Sequence, residues 1–566
     1  MRRVVSAALV VLSLTDPSAI LIAQSDGDVA ARVDKLFVNS NRDGVPGLAI
    51  GIVRDGRVLL TKGYGLASLE YKMPITGSTV FDVASLAKQF TGLAVAVLVG
   101  QGKIHLDDDI RTYLPEMPDL GKRITIDHLL HHTSGLRDWP STLSVAGWRL
   151  DDVITSDQIL AMAYTQRSLN FSPGAEYSYS NTGYNLLAAV VAKVTGQTFR
   201  EWMQQNLFQP LGMTHTHFRD DYTEVISQST SGYSRWPDST YHRVPDNLVA
   251  PGSSSLFTTV EDLSKWLINF DNPLVGGNAA LALSRTRGVL NDGTTIPYEF
   301  GITHGDYEGV PNLNHSGSWA SVGTFLLFFP EQRLGVIVLA NDATIDPSRA
   351  AYEIADIFLE KKKPVAPTDT HATDSNPKQQ TFSGVASAVL DEYVGLYRLA
   401  PGWYVRITRN GQGLNTQATA WWGPEKIFPM TAVSANQFWV EAYRAPIVFQ
   451  RGADGHVTHF DYRGIHAARV SDPGPPSPSQ LRELAGEYES EELHTTYLVE
   501  ATDSTLVLWH PHHGRVPLTR VARSDFAGSL WFLNSIDFQR DSAGVIAGFM
   551  VNAGERSRNI WFGRRR

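Results

Sequence analysis

Ser85 and Lys88 stand three residues apart in the stretch VASLAKQF, residues 83–90. Residues at i and i+3 share one face of a helix, so the serine hydroxyl and the lysine amine can meet. A serine hydroxyl becomes a good nucleophile when a neighbouring base takes its proton. Lysine can be that base if desolvation lowers its pKa, and the flanking apolar residues suggest a dry site. The backbone N–H of Ser85 at a helix start can also donate to a developing oxyanion. Because S-x-x-K recurs by chance, the pair needs support from elsewhere in the chain.

Tyr179 and Asn181 form a second polar group in FSPGAEYSYSNTGYNLLAAVV, between a Pro-Gly turn and an apolar helix. A tyrosine can pass a proton when positive charge stabilises its phenolate. An asparagine side chain can hold the amide carbonyl of a substrate. Both roles suit acyl transfer to Ser85.

His315, Gly317 and Ser318 form a third group in NLNHSGSWASVGTFLLFF, which leads into a strand hairpin. Glycine at this place is expected to let a substrate backbone lie along the strand edge. The N–H of Ser318 is expected to complete an oxyanion hole with that of Ser85.

The three groups read SLAK, YSN and HSG, in the order S-x-x-K, Y-x-N and H-x-G, and over residues 28–360 the chain resembles the penicillin-recognising serine hydrolases. That superfamily includes class C β-lactamases, DD-carboxypeptidases, related esterases and D-aminopeptidases. The resemblance implies that Ser85 is acylated, that Lys88 and Tyr179 share general base and acid duty, and that no metal or cofactor is required. It implies substrate-binding roles for Asn181, His315, Gly317 and Ser318.

His315 stands where carboxylate-recognising members of the superfamily have a lysine. A neutral imidazole attracts a carboxylate less than an ammonium does, and its charge is expected to change near pH ~6.5. β-Lactamase and DD-carboxypeptidase activity are therefore less favoured. The H-x-G form is characteristic of the D-aminopeptidase branch and also occurs in esterase-like relatives.

Strands at both ends of this block and helices in its middle must position the three groups. The segments LAIGIVRDGRVLLTKGYG and GTFLLFFPEQRLGVIVLAN read as hairpins, and RAAYEIADIFLEKK as an amphipathic helix. The fold that the resemblance implies is α+β: an antiparallel sheet flanked by helices, plus a helical subdomain, with the site between them.

Two further blocks follow, and they resemble each other. LDEYVGLY at residues 390–397 aligns with LRELAGEY at residues 481–488, which indicates a duplication. Each block alternates apolar and polar residues in short runs, enough for about eight strands of a small lipocalin-like antiparallel barrel. We predict domains at 25–360, 390–470 and 481–566, with linkers at 361–389 and 471–480.

This domain order also resembles that of D-aminopeptidases, in which a loop of the last barrel closes the active site. The candidate loop is Pro511-His512-His513-Gly514, at a predicted hairpin tip. Removal of the chain after residue 475 is then expected to broaden the substrate range.

Composition and the N-terminal residues narrow the function and its location. A net charge of -9 disfavours nucleic-acid binding, and the absence of cysteine excludes disulfides and thiolate chemistry. Arg2 and Arg3 precede a short apolar run, so residues 1–23 are predicted to be a signal peptide. A periplasmic or secreted protein without a stable membrane span, acting on a small molecule, is expected; its oligomeric state stays open.

Several other groups carry weaker signals. Metal binding is possible at two histidine clusters, but helix capping and a solvated hairpin tip are favoured; the clusters are His128, His131 and His132, and His510, His512 and His513. The tryptophans Trp421, Trp422 and Trp439 suit sugar stacking, but core filling of a barrel is favoured.

Two hypotheses from different classes remain. The first is a secreted serine hydrolase that works through an acyl-enzyme on small D-amino-acid amides, peptides or esters, with a β-lactamase, DD-carboxypeptidase or esterase as the alternative. The second is a penicillin-binding-like sensor with little turnover. The intact set of Ser85, Lys88 and Tyr179 favours turnover.

Overall fold

The computed structural model describes residues 28–359, 385–400, 403–418, 427–443, 445–472 and 474–565. The predicted signal peptide, most of the predicted linker 361–389, and Trp421 and Trp422 lie outside these residues. Among the described helices, none combines the length and hydropathy that a membrane span requires.

The N-terminal part of the chain contains thirteen strands, of which six form the main sheet. The strands are β1 (Leu48–Arg54), β2 (Arg57–Tyr64), β3 (Leu66–Ser68), β4 (Met73–Pro74), β5 (Phe81–Asp82), β6 (His217–Phe218), β7 (Gly232–Arg235), β8 (Tyr241–Val244), β9 (Leu256–Thr258), β10 (Thr303–Tyr307), β11 (Val310–Trp319), β12 (Val322–Phe329) and β13 (Leu334–Ala340).

Helices fill the middle of this part and both of its ends. They are α1 (residues 28–36), α2 (Ala87–Gly100), α3 (Ile126–Leu130), α4 (Trp139–Val145), α5 (Ser156–Thr165), α6 (Asn181–Thr195), α7 (Phe199–Met203), α8 (Val260–Asp271), α9 (Gly277–Ser284) and α10 (Pro347–Ala355). Short 3-10 turns cover Ala84–Leu86 and Ile110–Thr112, and a π-helical turn covers Gln204–Phe208.

The main sheet is antiparallel, in the order β10-β11-β12-β13-β1-β2. Both predicted hairpins are present, β1–β2 and β12–β13. Asp55 and Gly56 turn the first hairpin with φ of 52° and 73°, the left-handed geometry that a two-residue turn requires. Strands from both ends of the block therefore meet in one sheet, with helices packed on it, as the α+β prediction states.

The C-terminal part of the chain forms two closed eight-stranded antiparallel barrels, which confirms the predicted all-β fold. The first barrel contains β14 (Gly395–Ala400), β15 (Trp403–Asn410), β16 (Gly413–Ala418), β17 (Phe428–Ala432), β18 (Gln437–Val440), β19 (Ala445–Arg451), β20 (Val457–Tyr462) and β21 (Ile465–Val470). The last barrel contains β22 (Gly486–Ser490), β23 (Thr495–Ala501), β24 (Leu506–His510), β25 (Gly514–Arg520), β26 (Asp525–Gly528), β27 (Ser535–Arg540), β28 (Ile546–Asn552) and β29 (Ile560–Arg564).

The two barrels repeat each other in detail. A short helix precedes each barrel, α11 (Ser387–Tyr393) and α12 (Pro478–Leu484). The Tyr397 hydroxyl donates to the Tyr393 carbonyl at 2.9 Å, and the Tyr488 hydroxyl donates to the Leu484 carbonyl at 2.7 Å. This shared tether of helix to first strand supports the duplication that the sequence indicates.

The last barrel docks on the end of α4. Val145 packs into the apolar core of that barrel, and its carbonyl accepts a hydrogen bond from the Tyr497 hydroxyl at 3.0 Å. Nearby, the Arg137 guanidinium is 1% exposed and pairs with the buried Glu492 carboxylate of the barrel. The barrel therefore buries the apolar Val145 side chain and pairs the buried Arg137 charge, which would be destabilising without a partner.

Candidate active site

Ser85 lies in the 3-10 turn that leads into α2. The preceding Ala84 has φ of 47°, a left-handed conformation that is strained for a residue with a side chain. The Asp82 carboxylate holds this turn by accepting from the Ala84 N–H at 2.8 Å. The turn presents the Ser85 hydroxyl to a cavity of about 500 Å³.

Lys88 lies beneath Ser85 and is completely buried. Its Nζ is 3.1 Å from Ser85 Oγ, 2.7 Å from Asn181 Oδ1 and 2.8 Å from the Ser253 carbonyl oxygen. Burial lowers the pKa of the Lys88 ammonium well below its usual value. A neutral amine has two N–H donors and one lone pair. Asn181 and Ser253 can accept the two donors, which leaves the lone pair directed at the Ser85 hydroxyl.

Tyr179 lies beside Lys88 and hydrogen-bonds with Ser85. Burial raises the pKa of the Tyr179 phenol, although the bond to Ser85 and the charge of Arg556 oppose that rise. Lys88 Nζ lies 4.9 Å from the Tyr179 ring centroid, and the His132 ring lies 4.2 Å from it. Tyr179 is therefore a protonated acid at neutral pH, next to Ser85.

Asn181 connects Lys88 to a carboxylate that the sequence analysis missed. Its Oδ1 faces Lys88, while its Nδ2 donates to Asp138 Oδ2 at 3.2 Å and its backbone N–H donates to Asp138 Oδ1 at 2.7 Å. Both ends of the Asn181 amide are thus engaged within the protein. This geometry fits positioning of Lys88 as well as the predicted contact with substrate.

His315 is buried and neutral, which corrects the expectation of a charge change near pH 6.5. Its Nδ1 lies 2.7 Å from the Ser316 carbonyl and its Nε2 lies 3.0 Å from the Tyr298 hydroxyl. Burial is the largest cause that lowers the pKa of His315, to about 3. Nδ1 therefore carries the proton, and Nε2 accepts from Tyr298.

Gly317 faces the turn that carries Ser85. A Cβ at this position would lie 2.3 Å from the Val83 carbonyl oxygen and 3.1 Å from the Ser85 nitrogen. Glycine is therefore needed here so that the Ser85 turn can pack against β11. The sequence had suggested a different reason, space for a substrate backbone. Strand β10 pairs with β11 only as far as Asn314, so among the described residues the edge at 315–319 has no strand partner opposite β12. Ser318, on this open edge, lines the cavity.

The cavity that these groups share is walled by aromatic rings. Five of the seven predicted site residues line it, and the other two, Lys88 and Gly317, lie directly behind the Ser85 turn. Aromatic lining side chains are Trp139, Tyr177, Tyr179, Tyr298 and Trp319. A small substrate with an apolar or aromatic portion fits such a wall.

Arg556 enters the cavity from the last barrel and supplies a charge there. It lies in the loop between β28 and β29, residues 553–559, here called the Arg556 loop. Its carbonyl accepts from the Asp138 N–H at 3.0 Å, and its guanidinium lies 5.0 Å from the Tyr179 ring centroid. Its Nη1 is 3.9 Å from Asp138 Oδ2. Among the described residues that line the cavity, none supplies a carboxylate.

The Pro511–Gly514 loop proposed from the sequence lies elsewhere, although it belongs to the correct barrel. His512 Nδ1 is 2.9 Å from the Gly147 carbonyl, and His513 Nε2 is 2.9 Å from the Ser144 carbonyl. These contacts place the loop on the end of α4, away from the residues that line the cavity. The expectation of a solvated hairpin tip holds only in part: Pro511 and His512 are exposed, whereas His510 is buried.

The histidines of the other cluster serve the local structure. His128 Nδ1 accepts from the Thr125 N–H at 3.2 Å as part of a capping box, as the helix-capping interpretation states. His132 Nδ1 accepts from the Ser180 N–H at 3.1 Å. With its ring on Tyr179, His132 holds the YSN segment in place.

Comparison with known proteins agrees with this fold. A family model described as Beta-lactamase matches residues 29–359, more than half of the chain, so the chain belongs to the Beta-lactamase family, whose members are serine hydrolases. The resemblance to penicillin-recognising serine hydrolases is thereby confirmed.

Individual relatives are distant. Penicillin-binding protein 4* of Bacillus subtilis (strain 168) is 27% identical over 413 residues, 70% of this chain and 89% of that protein. A D-aminopeptidase of Gluconobacter oxydans (strain 621H) is 27% identical over 296 residues, 52% of this chain and 56% of that protein. The structure of the octameric penicillin-binding protein homologue from Pyrococcus abyssi is similar in fold, with a TM-score of 0.54 at 22% identity, over 78% of this chain and 100% of that one.

Proposed function

We propose that this protein hydrolyses small amides, peptides or esters through an acyl-enzyme on Ser85, and that it favours substrates with a carboxylate near the scissile bond. The observation that carries the first part is the 3.1 Å approach of the buried Lys88 amine to the Ser85 hydroxyl. The observation that carries the second part is the Arg556 guanidinium, which lines the cavity while the carboxylates of Asp138 and Glu555, 3.9 Å from it, do not.

Acylation begins when the neutral Lys88 amine takes the Ser85 proton as Ser85 Oγ attacks the substrate carbonyl carbon. The new C–O bond forms while the carbonyl π electrons move to oxygen. The backbone N–H groups of Ser85 and Ser318 are the proposed donors to this oxyanion. The low pKa of Lys88 supports its role as the base, because an ammonium has no lone pair for the proton.

Collapse of the tetrahedral intermediate expels the leaving group, which needs a proton. Tyr179 is the proposed donor, since burial keeps its phenol protonated and it hydrogen-bonds with Ser85. The proton on Lys88 then passes to the neighbouring Tyr179 phenolate, which restores both groups. Water repeats the sequence in deacylation and releases the acid product and Ser85.

The charge of the cavity supports a substrate with a carboxylate over one with a free amine. His315 is neutral because of its lowered pKa, so it offers no positive charge to a carboxylate. Arg556, which the last barrel contributes to the cavity lining, offers such a charge. A free substrate ammonium would instead meet the Arg556 guanidinium, because the described residues that line the cavity present this cation and no carboxylate. The carboxylates of Asp138 and Glu555 lie 3.9 Å from the guanidinium and outside the lining.

A matched pair of thioesters tests the proposal. Both carry a phenylacetyl-glycyl acyl group; one has thioglycolate as the leaving group and the other has its methyl ester. We expect the thioglycolate substrate to have the higher kcat/KM, and Arg556→Gln to remove about tenfold or more of that preference. Arg558→Gln is the control, because this neighbouring arginine pairs with Glu176 at 3.1 Å and does not line the cavity.

A D-aminopeptidase is the second candidate, favoured by the H-x-G motif and by the D-aminopeptidase relative. D-Alanine p-nitroanilide, with its free amine, measures it directly. Preferred turnover of this substrate, unaffected by Arg556→Gln, would contradict the carboxylate preference and support the D-aminopeptidase. Loss of all turnover in Ser85→Ala is expected under both.

A further inference from the structure

The outer face of the first barrel carries two histidines and an aspartate, His459, Asp461 and His466, here called the barrel triad. His459 and Asp461 flank the buried Phe460 on β20, so they lie on the outward face of the strand. His466 on β21 pairs directly with Asp461 across the sheet. Antiparallel pairing therefore brings three potential ligands to one patch.

The ligand atoms of the triad converge. His459 Nε2 lies 3.8 Å from Asp461 Oδ1, and His466 Nδ1 lies 2.5 Å from the same oxygen. All three atoms lie within 4.8 Å of one another. Ligands on a tetrahedral Zn²⁺ ion with bonds of 2.0–2.1 Å are about 3.4 Å apart. The His466 side chain is 77% exposed, so it has room for the small rotation that this spacing requires.

Neighbouring groups orient two of the three ligands. His459 Nδ1 lies 3.0 Å from Thr458 Oγ1, and when Nδ1 donates that bond the Nε2 lone pair is directed at the triad. Gln450 Nε2 donates to Asp461 Oδ2 at 2.8 Å, which leaves Oδ1 facing the histidines. Outer hydrogen bonds of this kind fix tautomer and orientation in metal sites.

The histidine cluster of the last barrel lacks this freedom. His510 Nε2 lies 2.9 Å from Thr495 Oγ1, while His512 and His513 face backbone carbonyls of the N-terminal domain. Among the described residues, the barrel triad alone brings three metal-ligating side chains close enough together to share one ion.

We infer that the barrel triad binds one divalent transition-metal ion of the class that accepts imidazole and carboxylate together, with Zn²⁺ as the representative. Two imidazole nitrogens disfavour Mg²⁺ and Ca²⁺, which take oxygen ligands. Three protein ligands on an exposed face leave a coordination position for water. The ion links β20 to β21 at the Tyr462–Ile465 turn and stabilises the first barrel. This inference is independent of the chemistry at Ser85.

Calorimetric titration of the full-length chain with ZnCl₂ tests the inference, with the Tm measured with and without zinc. We expect one ion per chain and a rise in Tm. His466→Gln should abolish both effects, and Gln450→Leu should weaken zinc binding by about tenfold or more through loss of carboxylate orientation. His456→Gln is the control, because this exposed histidine of the same barrel is outside the triad.

Zinc binding that persists at the same affinity in His466→Gln would overturn the inference, as would a wild-type chain that binds no zinc. A variant that no longer folds is recognised by its circular dichroism. In that case Gln450→Leu decides the matter, since it removes a hydrogen bond to Asp461 and none of the three proposed ligands. Unchanged zinc affinity in that variant would contradict the role of Asp461 as an oriented ligand and overturn the inference.

Discussion

At the scale of single residues, the chemistry depends on Lys88 being neutral while completely buried. Its amine contacts Ser85, Asn181 and the Ser253 carbonyl, a set that matches the two donors and one lone pair of an uncharged amine. Burial is the leading cause of its lowered pKa. Burial lowers the pKa of Lys88 and raises the pKa of Tyr179. Lys88 can therefore act as a base and the neighbouring Tyr179 as an acid.

The pH dependence of kcat/KM tests the state of Lys88. A base must be unprotonated, so activity is expected at neutral pH and should fall on the acid side, as pH drops through the lowered pKa of Lys88. Lys88→Met should reduce kcat by roughly 10²–10⁴-fold. An inflection near the ordinary lysine pKa of ~10.4, with little activity at pH 7, would contradict a neutral Lys88.

His315 shows where residue-level prediction from sequence stops. Its position in the HSG motif and at the cavity was predictable, because the motif is local in the chain. Its charge was not, because the pKa of about 3 arises chiefly from burial of the imidazole. Burial is a property of the folded chain and leaves no local signature.

At the scale of elements, β11 and the turn before α2 form one unit. The turn approaches so closely that β11 must have glycine at position 317, and the Thr324 hydroxyl on β12 donates to the Val83 carbonyl at 3.0 Å. The sheet thus determines where the Ser85 hydroxyl lies. Element order and the two hairpins were predictable from periodicity and turn residues, whereas this packing contact was not.

Gly317→Ala tests that coupling. The added methyl would overlap the Val83 carbonyl oxygen at 2.3 Å, so the Ser85 turn must shift, and kcat/KM should fall by about 10²-fold with the fold retained. Gly323→Ala is the control. Gly323 lies on β12, which pairs with β11. Its added methyl would meet the Pro347 ring of α10 at 3.1 Å and not the Ser85 turn, so activity should change little. Equal losses in both variants would show that hairpin stability, and not the Ser85 turn, is responsible.

At the scale of the whole molecule, the last barrel completes the site of the N-terminal domain. It supplies Arg556 to the cavity and Glu492 to the buried Arg137. Truncation after residue 475 would remove both groups and expose Val145. We therefore expect the truncated chain to lose stability, whereas the sequence had predicted a broader substrate range.

Glu492→Gln measures the interdomain contribution without truncation. An unpaired buried guanidinium costs about 3–5 kcal/mol, so the Tm should fall by about 5 °C or more. Glu491→Gln is the control, because Glu491 pairs with Arg167 at 2.7 Å on the surface, with side chains 75% and 62% exposed. An exposed pair contributes about 0–1 kcal/mol. Equal Tm values for the two variants would contradict a structural role of the buried pair.

Interdomain contacts were the least predictable part of the molecule. The Arg137 side chain donates to backbone carbonyls of Arg558 and Asn559, more than 400 residues along the chain. The sequence predicted residues 511–514, a histidine-rich hairpin tip, as the loop at the active site. The Arg556 loop carries no recognisable motif. The sequence predicted the two barrels and their duplication, but not which loop of the last barrel lines the cavity.

The measurement that tests the central proposal most directly is intact-protein mass spectrometry during turnover of the thioglycolate thioester. Acylation predicts a transient mass increase equal to the phenylacetyl-glycyl group, located on the peptide that contains Ser85 and absent in Ser85→Ala. A stable adduct without turnover would instead support the sensor hypothesis. Hydrolysis that continues in Ser85→Ala, with no adduct in either protein, would contradict an acyl-enzyme mechanism at Ser85.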